Sequence, residues 1–219
     1  EAYRDMGYLP EAMRNYLARL GWSHGDDEFF TTDQAVAWFG LDSVGKSPAR
    51  FDFAKLENLN GQHMRAASDT DLLTQIDALL AAQQKPAIPP LAREKMLAAM
   101  PGLKERAKTL NELIDSAYYL LAERPLQPDE KAAKLLTTEA RALLGRLTTH
   151  LQNASEWSVS GLEEIVRAFA EAEGLKLGKV AQPMRAALTA RAVSPGVFDV
   201  LEVLGREESL ARLVEAADG

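Results

Sequence analysis

The sequence has no cysteine among its 219 residues. That excludes disulfides, thiolate metal sites and cysteine nucleophiles, and it fits a reducing, cytoplasmic compartment. Histidine is scarce: His24, His63 and His150 fall in separate segments without metal-ligand spacing, and no His-Glu-x-x-His pair occurs. There is no strand-embedded glycine triplet. No apolar run approaches the ~20 residues of a membrane span, no secretory signal precedes the first helical pattern, and no repeat of fixed period is visible. Sustained period-two alternation is also missing, so no strand is expected. Positive charge is in deficit, with 25 Lys and Arg against 32 Asp and Glu, a formal charge of −7. Such a balance argues mildly against a nucleic-acid partner, although the local field of a basic patch is what decides. Asp26-Asp27-Glu28 is a carboxylate cluster in a polar loop and reads as a solvated surface run rather than a metal site.

What is present is helical punctuation. Pro10 suits a first helical turn, and Met13, Tyr16, Leu17 and Leu20 recur at three and four before Gly21. Thr31-x-x-Gln34 has the form of a capping box. Residues 42–50, with Ser47 and Pro48, read as a loop, and Asp52 caps the next helix. Asn60-Gly61 is expected to break or turn that helix. Ser68 and Asp69 open one carrying Leu72, Leu73, Ile76, Leu79 and Leu80. Gln83 to Pro90 holds three prolines and marks a domain boundary, dividing the chain into residues 1–85 and 86–219, with a subdivision near 145–155. Pro101 should interrupt the helix begun at Pro90. Thr109-x-x-Glu112 and Ser160-x-x-Glu163 are further capping boxes. Pro128-Asp129 and Thr138 start helices, Ser194 with Pro195 starts another that stops at Gly205, and a last helix runs from Ser209 to Ala217. The fold class is all-α.

The basic residues are the informative ones for function. Lys104, Arg106 and Lys108 alternate around a helix junction, with Arg93 and Lys95 just before, and Lys179, Arg185 and Arg191 precede Ser194. They are either ordinary helix surface charges beside Glu94, Glu105 and Glu112, or a rim of cations near helix ends able to hold phosphates and bases. Trp157 and the pair Tyr118-Tyr119 could stack on unpaired bases. Tyr118 lies on an apolar stripe and should be buried, which leaves Tyr119 as the exposed ring.

Four blocks carry a family resemblance. They are Tyr3-Arg-Asp-Met-Gly-Tyr-Leu-Pro-Glu-Ala-Met-Arg-Asn-Tyr-Leu-Ala-Arg-Leu-Gly-Trp22, Phe51-Asp-Phe-Ala-Lys-Leu with Asn60-Gly-Gln-His-Met-Arg65, Leu103 to Leu113, and Gly178 to Leu201. In this order they resemble the C-terminal part of bacterial glutamyl-tRNA synthetases, with Ala181 and Ala190 standing where glycine is expected. The resemblance implies a helical stem-contact region over residues 1–85 and a two-part all-helical anticodon-binding domain over 86–219. It implies a glutamate-accepting tRNA as partner, no DNA or membrane, and a monomer. The family's His-Ile-Gly-His-like and Lys-Met-Ser-Lys-Ser-like motifs are absent, so no residue here is expected to be catalytic. ATP with Mg would serve the parent enzyme and no cofactor this chain, which reads as a fragment. On the same basis Arg106 would read a base at the third anticodon position. Lys104, Lys108, Lys179, Arg185 and Arg191 would contact the RNA backbone, and His63 and Arg65 would face the stem. His63 stays open between that role and a structural hydrogen bond. A helical protein-interaction module without RNA binding is the alternative.

Overall fold

The structure is a computed structural model that describes residues 2–45 and 50–219; the loop expectation at Ser47 and Pro48 lies outside them. Among the described residues there are fourteen α-helices and no strand. The chain forms two compact units, residues 1–88 with 103–115, and residues 89–102 with 116–219.

The first unit holds α1 (Ala2–Asp5), α2 (Pro10–Gly21), α3 (Thr32–Trp38), a 3-10 turn (Leu41–Ser43), α4 (Phe53–Ala66) and α5 (Asp69–Ala82). The end of α6 (Pro90–Lys104) and nearly all of α7 (Leu110–Ser116) complete it. Its core joins Tyr8, Tyr16, Leu56 and Leu59, with Tyr3, Met13, Leu20, Phe29 and Phe51 packed against them. Tyr16 meets Phe51 edge-on at 4.9 Å. Three local caps form as the spacing predicts: Thr31 and Gln34 close the full capping box, Asp52 accepts from the Ala54 and Lys55 amides, and the Ser68 hydroxyl accepts from the Asp71 amide.

Two expected breaks do not occur. α4 runs straight through Asn60-Gly61, and Asn60 serves tertiary contacts instead. The Asn60 Oδ1 accepts from the Leu9 amide at 2.8 Å, and its Nδ2 donates to the Lys108 carbonyl at 2.5 Å. α6 continues past Pro101 to Lys104. The lost proline N–H forfeits one hydrogen bond, while Met96, Met100 and Leu103, all on one stripe, are buried on both sides of it.

The second unit holds most of α6 with α8 (Tyr118–Leu121), α9 (Glu130–Ala133), α10 (Thr138–Gln152), α11 (Val159–Ala172), α12 (Leu177–Thr189), α13 (Val197–Leu204) and α14 (Arg206–Asp218). α10 packs on α14, α11 and α12, and α13 closes against α11, α12 and α14. Leu144, Leu147, Leu151, Val166, Met184, Leu188, Leu201 and Leu213 fill the middle. Several starts differ from the expected ones. α11 is capped by Ser158, whose hydroxyl accepts from the Gly161 amide, not by Ser160. α13 starts at Val197 after Gly196, and Ser194 is buried with its hydroxyl donating to the Pro195 carbonyl. α14 starts at Arg206, and Ser209 lies inside it, donating to the Leu201 carbonyl.

Candidate nucleic-acid interface

In the first unit, the turn between α6 and α7 presents the basic residues singled out by the sequence. Leu103 and Ala107 are buried at its two ends and pin it, and Arg106 and Lys108 are exposed. The Thr109 hydroxyl accepts from the Glu112 amide, while the Glu112 carboxylate reaches back to the Lys108 amide at 2.7 Å, so α7 starts with a one-residue-shifted version of the capping box. The exposed Arg65 joins this turn from α4, its Nη1 3.3 Å from the point a Gly61 Cβ would occupy. Arg65, about forty residues earlier in the sequence, thereby lies near the stretch of backbone that carries Arg106 and Lys108.

Two of the predicted contacts are built differently. The Lys104 side chain is only 16% exposed; its Nζ lies 2.7 Å from the Asp69 carboxylate and donates to the Ala67 carbonyl at 3.0 Å. It ties the α4–α5 corner to the end of α6, which positions the turn rather than offering the ammonium outward. His63 does not face outward either. It is 7% exposed, its Nε2 lies 2.9 Å from the Asn15 Oδ1, and its ring packs on Phe29 at 4.5 Å. Burial holds its pKa below the ordinary 6.5, with Glu11 opposing and Arg14 assisting. The expectation of a stem-facing His63 is corrected on this point: the imidazole sits inside the unit, where Asn15 also accepts from the Phe30 amide and donates to the Glu28 carbonyl.

In the second unit, the corner after α12 gathers a second group. The Arg191 guanidinium sits 4.1 Å over the Tyr118 ring and its Nε lies 3.9 Å from the Asp129 carboxylate. The Asp129 amide donates to the Ala190 carbonyl. Ala190 has φ +57°, the left-handed conformation that favours glycine, at the position where the family resemblance leads one to expect glycine. The Arg185 Nε donates to the Ser194 hydroxyl at 3.1 Å. Lys179 is not part of this corner. It is exposed in the first turn of α12, and about 15 Å of helix rise separates it from Thr189 at the corner. With Lys176 at the cap and no acidic residue in that turn, Lys179 adds a cation to the positive end of the helix dipole.

The aromatic expectations are reversed. Tyr119 is 1% exposed, and burial pushes its phenol well above the usual range; Tyr118 is half-buried and carries Arg191. The buried stripe runs through Leu110, Leu113, Ala117 and Leu120, with Tyr119 beside it, rather than through Ile114 and Tyr118. Trp157 is committed as well: its Nε1 donates to the Leu201 carbonyl at 2.8 Å, and Arg206 covers the ring at 5.2 Å.

Arg212 is the residue sequence reasoning undervalued. It is 4% exposed, donates from Nη1 to the Tyr119 carbonyl at 2.8 Å and to the Leu188 carbonyl at 2.7 Å, and its Nε bonds Glu208 at 2.7 Å. It therefore fixes α8 and the end of α12, the two elements that bear Tyr118 and Arg191. The only signal in the sequence was the Glu208–Arg212 spacing, which a surface pair would share.

No group of three or more His, Asp or Glu able to hold a metal occurs among the described residues. No helix there is long and apolar enough to cross a membrane. The exposed cations, the half-buried Tyr118 ring and the helix ends can bind anions and planar groups.

Comparison with known proteins agrees with this inventory. The family model "Anticodon binding domain" matches residues 70–217, and that of "tRNA synthetases class I (E and Q), catalytic domain" matches residues 1–58. The chain is 59% identical over 217 residues to glutamate–tRNA ligase 2 of Parvibaculum lavamentivorans, covering 99% of this chain and 44% of that protein. It is 59% identical over 222 residues to glutamate–tRNA ligase 1 of Methylobacterium sp. strain 4-46, covering 99% and 47%. The chain thus spans a little under half the length of these curated relatives. The crystal structure of a glutamate tRNA ligase from Elizabethkingia meningosepticum, in complex with its amino acid, superposes with a TM-score of 0.81 at 32% identity, over 99% of this chain and 42% of that one. The glutamate-tRNA synthetase of Elizabethkingia anophelis gives 0.76 at 30%, with the same coverage. The chain belongs to the anticodon-binding-domain family, as a homologue of the C-terminal portion of glutamate–tRNA ligases.

Proposed function

We propose that the chain is the tRNA-recognition portion of a cytoplasmic, monomeric glutamate–tRNA ligase, an enzyme that joins glutamate to its tRNA at the expense of ATP with Mg. The ATP chemistry would belong to the part of such a ligase that this chain does not span, since it covers a little under half the length of its curated relatives. Residues 1–85 would contact the tRNA stem and 86–219 the anticodon arm. The observation that carries the reading is the pinned turn with Arg106 exposed, inside the span matched by the anticodon-binding family. Single-stranded loops are where proteins read RNA sequence, and an arginine fork can make two parallel hydrogen bonds to a base edge that lysine cannot copy. Arg106 is assigned the base contact at the third anticodon position. Lys108, Lys179, Arg185, Arg191 and Arg65 are assigned the RNA backbone, and Lys104 and His63 the support beneath it.

Two measurements test this. The chain should bind a glutamate tRNA transcript with an affinity that falls as salt rises; absence of binding at low salt sinks the proposal. Arg106→Gln should cost ~1–3 kcal/mol and relax discrimination at one anticodon base. Equal responses of native and variant protein to every anticodon would remove Arg106 from the role. The protein-interaction reading has one observation in its favour, the exposed apolar side chains Val36, Phe39 and Leu41 of the α3 region. It predicts no tRNA binding at any salt concentration.

A further inference from the structure

A cleft of about 250 Å³ opens between α2 and α4 in the first unit. Helix periodicity builds its walls. Tyr16, Arg19 and Leu20 stand at i, i+3 and i+4 on α2, and Lys55, Asn58, Leu59 and Gln62 at i, i+3, i+4 and i+7 on α4, so each set shares one face. Leu20 and Leu59 belong to the core beneath, and Arg50 and Glu28 line the rest.

The polar groups are unequally committed. Glu28 pairs with Arg19 at 3.3 Å, and Arg19 also donates to the Asp27 carbonyl. The Tyr16 hydroxyl accepts from the Asp52 amide at 2.6 Å, which leaves its own proton for another acceptor. Arg50 and Lys55 are exposed and enter no ion pair among the described residues. Three cations thus face one carboxylate in a molecule whose formal charge is −7. Like charges gathered this way repel in the absence of an anion. Arg, Lys, Tyr O–H and two side-chain amides are together the donor set of an oxyanion site. Tyr16 is buried, so the cleft has no open aromatic face for a base to stack on. The chemistry suits a phosphate group, read without regard to sequence.

We propose that this cleft holds a backbone phosphate of the bound RNA, through Arg50, Lys55, Arg19 and the Tyr16 hydroxyl. The proposal rests on the RNA-binding reading above and adds a site made of residues outside the Arg106 turn. It is tested with the 219-residue chain carrying Arg50→Gln and Lys55→Gln together, both at exposed positions, with the fold of the variant checked by thermal melt. Binding to a glutamate tRNA transcript is measured by fluorescence anisotropy across a salt series. The double variant should lose about tenfold in affinity at low salt and reduce the salt slope by about one, for the single phosphate contact removed. The preference among anticodon variants should stay as in the native chain, the reverse of what Arg106→Gln does. An unchanged affinity and slope in the folded double variant overturns the site. Inorganic phosphate supplies the second arm. If it shifts the NMR signals of the Asn58 and Gln62 side-chain amides but RNA affinity is indifferent to Arg50 and Lys55, the ligand is a free anion and the RNA assignment is overturned. If the native chain binds no tRNA, the functional reading fails; amide shifts with phosphate would then keep the oxyanion site, and their absence would overturn it as well.

Discussion

At the scale of single residues, two buried ionisable groups set expectations that their sequence context hides. Arg212 satisfies two carbonyls and one carboxylate where almost no water reaches. Truncating it to Met keeps the bulk and strands the two buried carbonyls, while Glu208 keeps Arg124, so Arg212→Met should destabilise the second unit by ~3 kcal/mol, read by urea denaturation. A loss under about 1 kcal/mol would mean that water replaces the guanidinium. Glu208 gives the same network a pH signature. Burial alone would raise its pKa, but the hydrogen bond and charge of Arg212, with Arg124 beyond, hold it below the ordinary carboxylate value. Its contribution is therefore present above the unfolded pKa and lost as pH falls through the lower folded one. His63 is the second case. Its folded pKa is depressed, chiefly by burial, so the unfolded chain takes up the proton first and stability should decline as pH drops below about 6.5. His63→Gln, which keeps a donor for Asn15, should flatten that decline in chemical denaturation between pH 7 and 5.5. An unchanged slope would show that another group titrates there.

At the scale of elements, legibility followed the range of the interaction. Caps whose donor and acceptor lie two or three residues apart, at Thr31, Asp52 and Ser68, follow from local spacing. Where two serines compete two residues apart, as at Ser158 and Ser160, local spacing cannot choose between them, and the docking of α11 decides. Asn60-Gly61 was opaque for the opposite reason: its local meaning is a break, and its actual partners are Leu9 and Lys108. Gly7 is a similar joint. It has φ +84°, its carbonyl accepts from the Leu110 amide at 2.9 Å, and a Cβ would lie 2.8 Å from the Asn111 amide nitrogen. Backbone cannot yield as a flexible side chain does. Gly7→Ala should therefore cost ~2 kcal/mol or more, from the left-handed conformation together with the clash. A thermal melt within a degree of the native one would show that the α1–α2 connection rearranges freely. The basic turn between α6 and α7 hangs on this joint, so the same variant should weaken tRNA binding more than its distance from any charge suggests.

At the scale of the whole molecule, the proline-rich stretch pointed to a boundary that a single cut does not describe. The chain leaves the first unit after Ile88, contributes residues 89–102 to the second, and returns with 103–115. Proline content reports where a chain is stiff, and it carries no information about a later return. What the return supplies is specific. Lys104 closes on Asp69 and Ala67, Asn60 takes the Lys108 carbonyl, Gly7 takes the Leu110 amide, and Asn111 bonds the Asp5 carbonyl and Gln83. Leu103, Ala107, Leu110 and Leu113 bury their side chains in the same step. A fragment ending at residue 88 would leave the Asp69, Ala67, Asn60 and Gly7 groups without these partners and expose the apolar surface the four side chains cover, each large one worth ~1.5–3 kcal/mol when fully buried. That sum approaches the ~5–15 kcal/mol that holds a domain together. Residues 1–88 alone should accordingly melt without a cooperative transition by circular dichroism, whereas residues 1–115 should melt cooperatively. A sharp transition in the shorter fragment at the temperature of the longer one would show that the returning segment is a passenger, and the turn bearing Arg106 would then lack the rigid support on which its base-reading role depends.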